Sequence, residues 1–183
     1  MLTRLLALLL LIILSPLFVI ISIAILLLDG SPIILVQSRV GKNSSNFNMY
    51  KFRTMKMDTP TVATRLLENP DQQITKFGRF LRKFSLDELP NLINMVMGEM
   101  GFVGPRPVLE SERELVGLRK QVGVDKLLPG LTGLAQINGR GDLSPEVKIK
   151  YELEYKERKS FLFDLDIVLK TTIHVLFRRD ISL

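Results

Sequence analysis

The residues able to do chemistry in this sequence cluster in one stretch, SLDELPNLINMVMGEMGFVGPRP, residues 85–107. Asp87 and Glu88 are adjacent carboxylates, and two carboxylates that close repel unless a cation or a proton lies between them. A magnesium ion shared with pyrophosphate oxygens would resolve the repulsion and leave one carboxylate able to attack phosphorus. Arg106 sits between Pro105 and Pro107, so its backbone is stiff and its guanidinium loses little freedom on binding an anion. A structural role competes for the acids, since Ser85-x-x-Glu88 also matches a capping box. Pro90 favours a helix that begins near it instead, which leaves both acids just ahead of the helix. Glu99 is a further carboxylate at the helix end, where capping or solvation is the ordinary role.

Two other stretches carry polar groups in suggestive patterns. In KFRTM, residues 51–55, Lys51 and Arg53 fall on one face of an extended segment and suit phosphate oxygens. In LLPGLTGLAQINGRGD, residues 127–142, a glycine-spaced loop is expected to offer Thr132, Gln136, Asn138 and Arg140 to a nucleotide or sugar.

Composition narrows the partners and the reaction types. The 183 residues carry a formal charge of +6 and a pI of about 9.7, which fits an anionic partner such as phospholipid headgroups or a phosphorylated substrate. There is no cysteine, so disulfides and thiolate metal sites are excluded, and the single histidine, His174, leaves no ordinary His-rich zinc site. The sequence contains no GxGxxG, Walker loop or HExxH, and no nucleic-acid-binding module, so nucleic acid is not an expected partner. Any catalysis falls to carboxylates.

These residues must be held by a chain with an apolar beginning. From Leu5 to Leu28 no residue is charged. As one helix this run would be about 36 Å long, enough to cross a hydrocarbon core of about 30 Å. Ser15-Pro16 interrupts it: Pro16 cannot donate to the helical ladder, and the Ser15 hydroxyl can bond back to a freed carbonyl. A kinked span and a re-entrant helix that returns to its own side are both compatible with this pattern. Residues 1–30 read as this broken membrane helix and residues 31–183 as the catalytic domain.

The body reads as mainly α with a small β-hairpin. Ile33–Val36 and Phe47–Phe52 are β-like runs joined by the turn-rich GKNSSN. A short helix is expected between Pro60 and Pro70. ITKFGRFLRKF, residues 74–84, puts apolar residues on one side and Lys76, Arg79, Arg82 and Lys83 on the other, the pattern of an interfacial amphipathic helix, although Gly78 weakens it by about 1 kcal/mol. VKIKYELEYKER, residues 147–158, alternates like a strand but is spaced for helical ion pairs and is read as helix. FLFDLDIVLKTTIHVLFRR is a second amphipathic segment, with His174 a satisfied or interfacial histidine rather than a ligand.

KFRTM (51–55), LDELPNLINMVMGEM (86–100), VGPRP (103–107) and PGLTGLAQINGR (129–140) together resemble the bacterial sugar transferase family, in its small monotopic polyprenyl-phosphate phosphoglycosyl transferases. The resemblance covers nearly the whole chain. It implies a re-entrant helix broken at Ser15 and Pro16, with both ends in the cytoplasm, and a catalytic domain on the cytoplasmic face of the bacterial inner membrane among phospholipids. It implies transfer of a sugar 1-phosphate from a UDP-sugar to polyprenyl phosphate with release of UMP, as a first membrane step of glycoconjugate assembly. Carried across, Asp87 is the nucleophile that becomes a phosphosugar-aspartyl intermediate, and Glu88 helps Asp87 hold Mg²⁺. Arg106 clamps phosphate, with Lys51, Arg53 and Arg140 in support. Members work as single units or as homodimers. Many relatives carry Trp near the C terminus; this chain has none and offers Tyr151, Tyr155, Phe161 and Phe163 instead. The residues alone leave two alternatives: a membrane-attached Mg²⁺-dependent phosphohydrolase and an anchored, non-enzymatic anion-binding protein.

Overall fold

Two apolar helices open the chain, α1 (Leu2–Ile13) and α2 (Ser15–Leu28), bent by 60° where they meet. The bend has a local cause. Pro16 has no N–H for the Ile12 carbonyl, and the Ser15 hydroxyl donates to that carbonyl instead, at 2.8 Å. The computed structural model describes residues 1–60, 69–139 and 143–177. Among these, no single helix is long and apolar enough to cross a membrane, and only the bent pair together has the length and composition.

Neither half of the pair leaves the body. Ala7 of α1 is buried with Met49, Leu92, Met95 and Met100, while Ile21 and Ile25 of α2 are buried with Phe52 and Leu81. The opposite faces stay bare: Leu2, Leu9, Ile12, Ile20, Leu27 and Leu28 are each more than half exposed. Both ends of the pair are tied down by polar contacts. The Arg4 guanidinium lies against Gly98, at the C-terminal cap of helix α5 described below. At the other end, Arg53 donates to the carbonyls of Asp29, Gly30 and Ser31 at 2.5, 2.6 and 2.7 Å. They belong to the C-cap residue Asp29 and the two residues after it, at the negative end of the helix dipole, where a cation is favoured.

The hairpin forms as the β-like runs predict. β1 (Ile34–Val40) pairs antiparallel with β2 (Asn46–Phe52), in a register that sets Leu35 opposite Lys51, Gln37 opposite Met49 and Arg39 opposite Phe47. A 3₁₀ turn over Lys42–Ser44 joins them. The helix expected between Pro60 and Pro70 falls mostly on residues outside the described set. After it come the single turn α3 (Pro70–Gln73) and the basic helix α4 (Lys76–Lys83), capped by Thr75, whose hydroxyl accepts from Gly78 N and donates to Asp29 Oδ2, each at 2.8 Å.

The expected helix start near Pro90 is the one observed. α5 (Asn91–Met97) begins directly after Pro90, and Ser85 caps nothing: it adopts φ 55° and turns the chain into a 3₁₀ turn over Leu86–Glu88. The other half of the body holds β3 (Gly101–Val103), α6 (Arg113–Val122), β4 (Gly130–Thr132), α7 (Leu134–Ile137), α8 (Pro145–Arg158) and α9 (Phe161–Phe177). Their core is Val103, Leu134, Tyr155 and Ile167.

The glycine-spaced stretch from residue 127 departs from its expected form. It is not an open loop: β4 pairs in parallel with β3, and α7 follows. Its glycines serve close packing. A Cβ on Gly130 would lie 2.1 Å from Gly104 N, and one on Gly104 would lie 2.3 Å from Leu128 O, so the two backbones meet where side chains would stand.

Gly78 has a similar reason to be in mid-helix, because a Cβ there would lie 2.2 Å from the Thr54 carbonyl oxygen. In an exposed helix, Gly→Ala gains about 1 kcal/mol. Here Gly78→Ala should instead cost about 1–3 kcal/mol, the range for overpacking. A lowered thermal midpoint in mild detergent is the expected outcome; a raised one would contradict this packing.

Candidate active site

Asp87 is held on a single 3₁₀ turn between α4 and α5, and its side chain is 9% exposed. Three elements converge on that turn. β2 delivers Lys51, whose Nζ lies 2.6 Å from Glu88 Oε1. The Pro-Arg-Pro loop after β3 delivers Arg106, with Nη2 3.7 Å from the same oxygen. From α4 comes Arg82, anchored by its Nε to Thr54 Oγ1 at 2.9 Å.

The electrostatics follow from burial and from this surplus of positive charge. Burial pushes the Asp87 carboxyl up from its ordinary value, and the neighbouring Glu88 charge pushes it further, while Lys51 and Arg82 pull it down. Burial also lowers Lys51 and Arg82, each against the pull of the two acids. The arrangement is a desolvated carboxylate beside a cation-held glutamate, in a ring of guanidinium and ammonium groups. Such a site can receive an anion and present a carboxylate oxygen to it.

The structure brings Asp87, Glu88, Lys51 and Arg106 together. Arg53 goes elsewhere: β2 ends at Phe52, the alternation that would have set Arg53 beside Lys51 stops there, and its buried guanidinium is taken up by the end of α2. Thr132, Gln136 and Asn138 also spend their polar groups within the body. Thr132 Oγ1 is 2.6 Å from Thr171 Oγ1, Gln136 Nε2 donates to Leu131 O at 3.0 Å, and Asn138 Nδ2 donates to Leu134 O at 2.8 Å. Gln136 Oε1 keeps no partner although buried, and borders a small void shared with Arg106. Arg140 lies outside the described residues. Glu99 accepts from Asn94 Nδ2 at 2.8 Å, and that amide also bonds Asn48 O, a structural link between α5 and β2.

Two sets of residues beyond those expected from the sequence serve the site. Arg82 belongs by spacing to the outer, basic face of α4, and its sequence proximity to Asp87 is the signal that points to the site. The second set is Arg119 and Glu152, a buried two-pronged ion pair with Nε–Oε2 at 2.8 Å and Nη2–Oε1 at 2.5 Å. Arg119 Nη2 also donates to the backbone oxygen of Arg106 at 2.9 Å, bracing the Pro-Arg-Pro loop from behind. Nothing in the helical spacing of α6 or α8 announces that contact.

A carboxylate of this kind, raised by burial and ringed by cations on a body with bare apolar helices, defines a surface site for anionic groups. The chain belongs to the bacterial sugar transferase family, whose model matches residues 1–178. It is 40% identical over 183 residues to the exopolysaccharide production protein ExoY of Sinorhizobium fredii, covering 91% of this chain and 80% of that protein. It is 40% identical over 154 residues to an uncharacterized sugar transferase, EpsL, of Bacillus subtilis, covering 84% and 74%. Against the UDP-glucose:undecaprenyl-phosphate glucose-1-phosphate transferase of Escherichia coli it is 40% identical over 174 residues, covering 91% of this chain and 37% of the longer protein.

A raised carboxyl has a consequence for stability. In the window between its ordinary value of 3.8 and its folded value, the native state binds more protons than the unfolded one, so stability falls as pH rises through that window. Asp87→Asn removes the cost and should raise the thermal midpoint of the metal-free protein at neutral pH. Thermal unfolding with a chelator present should show the gain shrinking as pH falls through that window towards the ordinary carboxylate value. A variant less stable than wild type at neutral pH would contradict the raised value.

Proposed function

We propose that this protein is a phosphoglycosyl transferase that moves a sugar 1-phosphate from a UDP-sugar to undecaprenyl phosphate or a related polyprenyl phosphate, releasing UMP. The observation that carries this reading is the buried Asp87 carboxylate on its 3₁₀ turn, faced by Lys51 and Arg82. The printed activities of the Escherichia coli relative and of the undecaprenyl-phosphate galactose phosphotransferase of Salmonella typhimurium support it.

Asp87 attacks the phosphorus bonded to the sugar. A carboxylate–phosphorus bond forms, the bond to the UMP oxygen breaks, and UMP leaves as a dianion. The lipid phosphate then attacks the same phosphorus and the aspartyl bond breaks, which restores the carboxylate. Charge balances in both halves. Asp87 is a nucleophile because it is only part-solvated, and Lys51 and Arg82 favour its ionised form against its own burial. Arg106 and Lys51 draw the donor's phosphate oxygens in and offset their charge.

Asp87 and Glu88 are the residues that would hold Mg²⁺. Among the described residues no third acid joins them, and two carboxylates completed by substrate phosphates and water are a donor set that Mg²⁺ accepts. When bound, the ion would neutralise charge on the transferring phosphoryl oxygens.

The bare faces of α1 and α2, with Phe80 on α4, Phe84 at its C-cap, and Phe161, Leu162 and Phe177 on α9, form the surface that meets the membrane. Because both ends of the helix pair are tied to one body, we read the pair as re-entrant, with the body at the cytoplasmic face of the bacterial inner membrane. That placement lets one site meet a soluble donor and a lipid acceptor.

The test is UMP release from a panel of UDP-sugars with Mg²⁺, with and without polyprenyl phosphate, for wild type and Asp87→Asn. Acceptor-stimulated release that falls by at least about 10³-fold in the variant is expected, as for loss of a nucleophile. Equal release by both proteins would sink the assignment of Asp87, and release indifferent to the acceptor would point to a phosphohydrolase.

A further inference from the structure

Arg39 is a cation that the reading above does not use. It lies on β1 opposite Phe47, on the hairpin face that also carries Gln37, Met49 and Lys51. Val40 N donates to Val108 O at 2.8 Å, which ties this end of β1 to the chain two residues beyond Arg106. The Arg39 guanidinium is oriented by Gln37, whose Oε1 accepts from Nη2, while its Nε is buried with no hydrogen-bond partner.

Its surroundings are unfavourable for a cation. Burial and the nearby Arg106 guanidinium lower Arg39 to about 10, with Glu112 and Glu88 opposing. Two guanidinium groups in electrostatic reach, one of them mostly desolvated and missing a partner, are costly unless an anion enters between them. A planar fork with a free N–H is also the shape that a tetrahedral phosphate fills.

The number of anions the reaction must accommodate narrows the ligand. In each half-reaction Asp87 occupies one apical position at phosphorus. An in-line displacement puts the other partner opposite it: UMP leaving in the first half, the lipid phosphate entering in the second. Both are phosphate monoester dianions, and both need the same place. We propose that Arg39 and Arg106 form this one phosphate-monoester subsite, used in turn by departing UMP and arriving polyprenyl phosphate. Two guanidinium charges match the two negative charges of either occupant. The inference rests on the transferase reading, and adds to it a residue and a shared site.

Direct binding separates the two claims, because it needs no turnover. UMP and uridine, and a short-chain polyprenyl phosphate and its polyprenol, are titrated into the full chain in mild detergent, for wild type, Arg39→Gln and Arg39→Lys. Wild type should bind each phosphate more tightly than its dephosphorylated partner. Arg39→Gln should reduce that preference by about tenfold for UMP and for the lipid alike, the scale of one charge-assisted hydrogen bond. Arg39→Lys, which keeps the charge but not the fork, should fall between, and reports on the subsite even if the Gln variant unfolds. Unchanged preferences in a folded variant would overturn the inference, as would a loss confined to one ligand. Failure of the transferase reading would show instead as a wild type that binds UMP through Arg39 yet releases none from any donor.

Discussion

Two consecutive carboxylates in a largely desolvated turn are an unstable arrangement unless positive charge is brought to them from outside their own segment. The Lys51–Glu88 ion pair, at 2.6 Å, does this. It joins the hairpin to the 3₁₀ turn, and it leaves Asp87 as the carboxylate whose ionisation remains costly. Glu88 is held by Lys51 and Arg106, whereas among the described residues Lys51 and Arg82 act on Asp87 from longer reach, beside a backbone hydrogen bond. Two chemically similar neighbours thereby acquire different characters, which is what a nucleophile beside a binding residue requires.

β2 is the element through which the rest of the molecule depends on that pair. Its successive residues serve different neighbours. Met49 enters the core under α1 and α5, Tyr50 N donates to Asn94 Oδ1 at 3.1 Å, Lys51 faces the dyad, and Phe52 packs beneath α2. Arg53, just past the strand, closes the end of α2. Anything that moves the helix pair therefore moves the cation that balances the dyad. On the transferase reading, this coupling keeps the chemistry in register with the lipid surface that supplies the acceptor. The Arg119–Glu152 pair performs the matching task from the other half of the body, holding the backbone of the Pro-Arg-Pro loop.

Local signals with a strong physical cause were legible in the sequence. The break at Ser15-Pro16, the hairpin runs, the helix beginning after Pro90 and the helical ion-pair spacing of residues 147–158 each follow from short-range stereochemistry or periodicity. The dyad and Arg106 were legible because unusual residue types sat together. What could not be read was contact between distant segments. Glycines at 130 and 104 looked like loop formers because spacing cannot distinguish flexibility from backbones in close approach. Lys51 and Arg53 looked equivalent because the strand's end at Phe52 is set by tertiary contacts. The Glu154–Arg158 pair was visible in the sequence and is present, but Glu152, spaced for Lys148 and Lys156, turns inward to Arg119. Arg39 acquires its meaning only once the hairpin is folded beside Arg106 and Glu88.

The central claim is that Asp87 carries the transferring phosphosugar. The most direct measurement is mass spectrometry of proteolytic peptides after brief exposure of the protein to a UDP-sugar and Mg²⁺ without acceptor, followed by acid quench. A peptide containing Asp87 and heavier by one sugar phosphate is expected, lost when polyprenyl phosphate is added before the quench. Steady UMP release with acceptor present, and no such adduct or an adduct on another residue, would contradict it.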